Sequence, residues 1–187
     1  MFDVTKIPFV QAKWYIHPTK NRHPQLIVIH SMEAPEKGVT AENVAKYFQT
    51  TKRPASTQYC VDNNSIVQCV QCSDICAGAP NANQKGIHIE HAGYARQTRE
   101  QWLDEYSLDM LRLSAMLCRV ILIPKFHIEA RWLTVQEVAR HKKDPKITGF
   151  CTHADVTAAF KQKGGHTDPG VNFPKDIYMR LVKGEII

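Results

Sequence analysis

No apolar run in these 187 residues approaches the roughly 20 that a membrane-crossing helix needs, and Val120 to Pro124 is typical of the longest. The opening MFDVTKIPFVQAKW lacks the charged-then-apolar order of a secretion signal, so synthesis as a soluble cytoplasmic chain is expected. No low-complexity tract, strong linker or internal repeat breaks the sequence. With 43% hydrophobic and 22% charged residues, the composition is that of a globular protein, and the length is that of one domain, expected to span residues 1–187. No basic stripe interleaved with aromatics is present, which removes the usual footprint of a nucleic-acid binder. Compact zinc-binding spacing is missing too. Cys69, Cys72 and Cys76 in CVQCSDIC have no matching second half, so they are expected to be small buried thiols. Six cysteines without a secretion signal are expected to be reduced.

What the chain does carry is positive charge, with a formal +6 and an isoelectric point near 9.0. That favours an anionic partner: nucleic acid, a membrane surface or an acidic polymer such as bacterial cell wall. The basic residues are scattered. Only Arg140, Lys142 and Lys143 cluster, beside His141, and they read as a solvated loop.

Strand and helix patterns alternate along the chain. Leu26 to Ile29 reads as a strand buried on both faces and ending at His30. Thr40 opens a helix to about Thr50, with Val44, Tyr47 and Phe48 on its apolar face. Thr57 to Val61 and Ser65 to Gln71 form a hairpin around residues 62–64, and Ile87 to Glu90 is a further short strand. Leucines and methionines recur at helical spacing from Ser107 to about Ile123, where Pro124 marks a stop. Thr134 with Glu137 fits a capping box for a helix through Arg140. Asp155 to Gln162 is another helix, and Pro174 with Asp176 opens the last. The mixture predicts a central sheet with helices on its faces, in the α/β or α+β class.

His30, His153 and Asp168 all fall where the chain changes direction. Imidazole nitrogens and a carboxylate are suitable zinc ligands, and three of them with an open fourth position define a catalytic site. Each histidine could equally be a hydrogen-bonded structural residue. Cys151, beside His153, is badly placed for a nucleophile–base pair.

Four segments together carry more information: LIVIHSMEAPEKGVTAENVAKYF, ANQKGIHIEHAGYARQTREQW, ITGFCTHADVTAAF and HTDPGVNFP. Over roughly residues 26–174 they resemble, in order, the type 2 N-acetylmuramoyl-L-alanine amidases, above all the amidase domains of bacteriophage endolysins. Wall-recycling amidases and peptidoglycan recognition proteins are more distant likenesses. The resemblance implies an α/β fold with a central mixed sheet flanked by helices. It also implies one zinc ion per chain, held by His30, His153 and Asp168, with Glu90 in GIHIE as catalytic base and His166 as a donor to the developing oxyanion. Asn81 and Asn83 become candidate substrate contacts. The implied partner is peptidoglycan or its muropeptides, with no nucleic acid or membrane. The implied role is hydrolysis of the bond between N-acetylmuramic acid and L-alanine, on the wall after release from the host cytoplasm. The alternative is a non-catalytic peptidoglycan-binding module of the same fold, and the presence of both histidines and Asp168 argues for the enzyme. The sequence departs from some relatives at Thr57 and Gln58, where they carry a tyrosine and a histidine.

Overall fold

The computed structural model describes residues 3–187. Its centre is a five-stranded sheet of β2 (Leu26–Ser31), β3 (Tyr59–Val61), β4 (Ile66–Gln68), β6 (Gly86–His91) and β7 (Gly149–Thr152), in the order β4-β3-β6-β2-β7. Only the β3–β4 hairpin is antiparallel; β3, β6, β2 and β7 run parallel. Every residue of β2 is buried, as its unbroken apolar run predicts for a central parallel strand. A separate antiparallel pair joins β1 (Tyr15–Ile16) to β5 (Ile75–Cys76).

Helices cover both faces. On one, Ile27, Ile29, Ile87, Ile89 and Phe150 pack with Trp102 and the long helix α2 (Glu105–Leu117), backed by α6 (Lys175–Val182). On the other, α1 (Thr40–Thr50) packs over Cys60 and Val67. There too α4 (Val135–Arg140) and α5 (His153–Phe160) cover Leu26, Val28 and Cys151.

The local signals explain most helix starts. Thr134 and Glu137 form the expected capping box at α4. Helix α1 has no side-chain cap of its own; buried Asp62, from the hairpin turn, accepts the Ala41 N–H at 3.0 Å instead. Helix α5 begins two residues earlier than its pattern suggests, because Thr152 is the cap and Asp155 its reciprocal partner. Pro124 does not stop the long helix. After α2 the chain continues as a π-helical segment, Cys118–Leu122, into α3 (Ile123–Phe126), with Ile123 N–H bonded to the Cys118 carbonyl. The wider turn relieves the proline ring, and the helix ends at left-handed His127 instead.

A buried polar chain ties these layers together beneath β2. His91 Nδ1 lies 3.1 Å from the His30 carbonyl, and its Nε2 lies 2.7 Å from Ser114 Oγ, which is 2.7 Å from Tyr178 Oη. A carbonyl only accepts, so His91 Nδ1 carries the proton and donates it, and Nε2 accepts from Ser114. Ser114→Ala leaves that nitrogen buried without a donor; the expected loss is about 1–3 kcal/mol in urea unfolding. Burial also pushes His91 down to about 4 from the ordinary 6.5. The unfolded ring takes up a proton that the folded ring resists, so this contribution to stability falls as pH drops from 6.5 to about 4 and levels off below.

Candidate active site

The parallel strands β2, β6 and β7 end at one edge of the sheet, the edge where open α/β sheets bind ligands. His30 is the penultimate residue of β2, paired in register with Glu90 of β6. His153, two residues after Cys151 of β7, is the first residue of α5, fixed there by the Thr152–Asp155 capping box. Asp168 arrives on a loop whose backbone is fastened to the same helix: its carbonyl accepts the Ala154 N–H at 3.1 Å. Gly170 follows with φ of 96°, packed so tightly on the Ala95 carbonyl that no Cβ fits.

The loop delivers the carboxylate between two imidazoles. Asp168 Oδ2 is 2.9 Å from His30 Nδ1, and Oδ1 is 3.1 Å from His153 Nδ1. One ligand atom from each of His30, His153 and Asp168 lies within 4.8 Å of the others, the one such group of metal-type donors among the described residues. Both histidines are buried and the Asp168 side chain is 13% exposed. Burial raises the Asp168 pKa, but hydrogen bonds from His153 and His30 outweigh it and hold the group ionised, far below the usual carboxylate range. Burial lowers the His30 pKa, partly offset by Asp168. Two imidazoles and an ionised carboxylate form a donor set suited to zinc.

Glu90 Oε1 lies 4.0 Å from His30 Nδ1, and Oε2 is buried with no hydrogen-bond partner. Burial, then the charges of Asp168 and Glu33, push its pKa well above the ordinary value. His166 is 60% exposed, stacks on the His153 ring at 4.0 Å between centroids, and approaches Asp168 Oδ1 to 3.6 Å. All five side chains line one cleft of about 210 Å³, together with Ser31, Glu33 and the small residues Ala77 and Gly78.

Asn81 and Asn83 are not in that cleft. They line a neighbouring cavity of about 440 Å³ with Trp14, Tyr15 and Lys142. Asn83 Oδ1 is committed to its own turn, accepting from Gly78 N–H and Ala79 N–H at 3.1 and 2.7 Å. Asn81 Oδ1 accepts from Lys142. The cysteines are all buried and free, as expected of small core thiols. Tyr59 turns its hydroxyl to Cys72, away from the cleft.

A further histidine, His88, stands behind the site, its Nδ1 2.9 Å from His30 Nε2. The signal was available: residues 88 and 90 of a strand share a face, so the residue type that faces the site at Glu90 also does so at His88.

Comparison with known proteins bears on this arrangement. A family profile described as N-acetylmuramoyl-L-alanine amidase matches residues 20–171. No curated protein sequence matches. Among solved structures, the Staphylococcus aureus hydrolase AmiA, determined in complex with its ligand, superposes with a TM-score of 0.65 at 14% identity, covering 95% of this chain and 83% of that one. A selenomethionine derivative of AmpD gives 0.61 at 16% identity, covering 94% of each chain. The endolysin amidase LysCS from Clostridium intestinale URNW gives 0.58 at 16% identity, covering 97% of each. At such identities these likenesses speak for the fold alone. The profile match, spanning most of the sequence, supplies the assignment: this chain belongs to the N-acetylmuramoyl-L-alanine amidase family.

Proposed function

We propose that this protein is a zinc-dependent amidase of bacterial peptidoglycan. It cuts the amide between the lactyl group of N-acetylmuramic acid and the first L-alanine of the peptide stem. The observation that carries the reading is the convergence of His30, His153 and Asp168 on one point, with Glu90 beside them in the same cleft. Bound there, zinc supplies Lewis-acid polarisation of the scissile carbonyl and a water whose pKa drops towards ~7. The chain's own groups do the rest. Asp168, shared between the two imidazoles, holds them facing a common point. Glu90 takes the proton of the attacking water and delivers it to the departing amine; burial raises its proton affinity towards what both transfers need.

His166 is exposed enough to reach over the cleft, and its stacking on His153 fixes where it stands. Its role is to donate a hydrogen bond to the carbonyl oxygen as negative charge builds there. His166→Ala is expected to lower kcat by ~10²–10³-fold, as for one lost oxyanion donor. His166→Lys is expected to retain more activity. Equal loss in both variants across pH 7 to 9 assigns His166 to the turn alone.

The proposed biological role is that of a phage endolysin, made in the host cytoplasm and acting on the wall after release. The positive charge of +6 suits an acidic wall polymer. Mass spectrometry of digested peptidoglycan tests the chemistry: the expected products are glycan strands with intact lactyl groups and stem peptides with a free L-alanine amine. Products cut within the glycan or inside the stem contradict it.

A further inference from the structure

We propose that His88 is a positioning residue: by accepting the Nε2 proton of His30, it fixes His30 in the tautomer and orientation that present Nδ1 to the metal ion. The inference rests on the zinc reading above and concerns how this chain prepares one ligand for it.

A neutral imidazole carries one ring proton, and the nitrogen that binds a metal cannot be the one that holds it. In His30 the nitrogen facing Asp168 is Nδ1, which donates to that carboxylate when no ion is bound; an ion bound at Nδ1 would displace that proton and leave the ring's single proton on Nε2. That proton needs an acceptor, and the site is closed to water on this side, where His30 is 2% exposed and His88 is 0%. His88 Nδ1, at 2.9 Å, is the acceptor available. His88 must then carry its own proton on Nε2. That atom is buried and makes no hydrogen bond within the protein, so no acceptor competes with the bond between Nδ1 and His30.

The surroundings hold this ring with unusual tightness. The His88 N–H donates to Gln58 Oε1 at 2.8 Å, and the His88 carbonyl accepts from Thr57 Oγ1 at 2.8 Å. These two side chains, which stand where the sequence departs from some relatives, continue the hydrogen bonding of β6 just before the β3 ladder begins. Two glycines close the ring in. A Cβ on Gly78 would lie 2.6 Å from His88 Nδ1, and one on Gly86 would lie 2.7 Å from Nε2. Gly78 is itself anchored by Asn83 Oδ1. The loop between β5 and β6 thus contributes a wall to the cage around His88. A hydrogen-bonded partner behind a metal-bound histidine sets its tautomer and its orientation.

Zinc affinity of the chelator-stripped full chain, measured by competition with a chromophoric chelator, tests this. His88→Ala and His88→Phe are expected to weaken zinc binding ~10–100-fold. The phenylalanine variant keeps an aromatic ring in the cage but accepts no proton, and circular dichroism melts of this variant and of His88→Asn separate the lost acceptor from any overpacking. His88→Asn, whose amide oxygen can stand near the position of Nδ1, is expected to bind nearly as the wild type does. Gly78→Ala, which removes no polar group, is expected to weaken binding by displacing the ring, and it serves if the alanine variant does not fold. Long-range proton–nitrogen correlation spectra of the zinc-loaded wild type should show both rings protonated on Nε2. Tight zinc binding by the wild type with no loss in folded His88→Phe, or a proton found on His88 Nδ1, overturns the inference alone. Absence of zinc binding by the wild type overturns the zinc reading, and this inference with it.

Discussion

Asp168→Ala is expected to abolish detectable cleavage of peptidoglycan while leaving the chain folded. The carboxylate is the one anionic member of the donor set and the group that bridges His30 and His153. Zinc binding by protein sites is worth ~10–16 kcal/mol where all ligands are in place, so losing one of three is expected to weaken it by ~10³-fold or more. His30→Ala should behave in the same way. The fold survives because the main apolar core of Ile27, Ile29, Ile87, Ile89, Trp102 and Phe150 lies on the opposite face of the sheet. Circular dichroism melts and metal analysis of each variant separate the two effects. Retained zinc and retained turnover in either variant remove that residue from the site.

Glu90→Gln is expected to lower kcat by ~10²–10⁴-fold, the range of general-base loss, with zinc still bound. The substitution preserves size and removes only the ability to take a proton. Glu90 Oε1 stands 4.0 Å from His30 Nδ1, and the residue lies outside the group of three ligands. The pH profile supplies a second readout. Glu90 must be ionised to act as base, and its pKa is raised by burial and then by Asp168 and Glu33. Wild-type turnover should therefore fall on the acid side as pH drops through that raised value. The residual activity of the glutamine variant should lack this limb. Near-normal turnover with zinc in place hands the base role to another residue.

Parts of this architecture were legible because they rest on local physics. The unbroken apolar run of β2 announces a strand covered on both faces, and the Thr134–Glu137 spacing announces a cap. Other parts depend on contacts between distant residues. Helix α1 is capped by Asp62 from a hairpin turn, which no local pattern reveals. The π-helical segment that carries the chain past Pro124 is a packing solution, since the same helix buries Leu117, Cys118 and Leu122 against the sheet. Strand β7 has only four residues, too few for a period to stand out.

The site divides in the same way. Nothing in their spacing ties His30, His153 and Asp168 together; their family pattern does, and the sheet topology brings them within 4.8 Å. Asn83, a candidate substrate contact, lies outside the cleft and fastens the turn that holds Gly78. His88 escaped notice because a histidine inside a strand reads as core, and only the β2–β6 register sets it behind His30.

The most direct measurement is a zinc titration of the chelator-stripped protein, following cleavage of peptidoglycan against equivalents of metal added. The stripped protein is expected to be inactive, with cleavage rising linearly and levelling off at one equivalent of zinc per chain. Undiminished cleavage by metal-free protein contradicts the zinc reading.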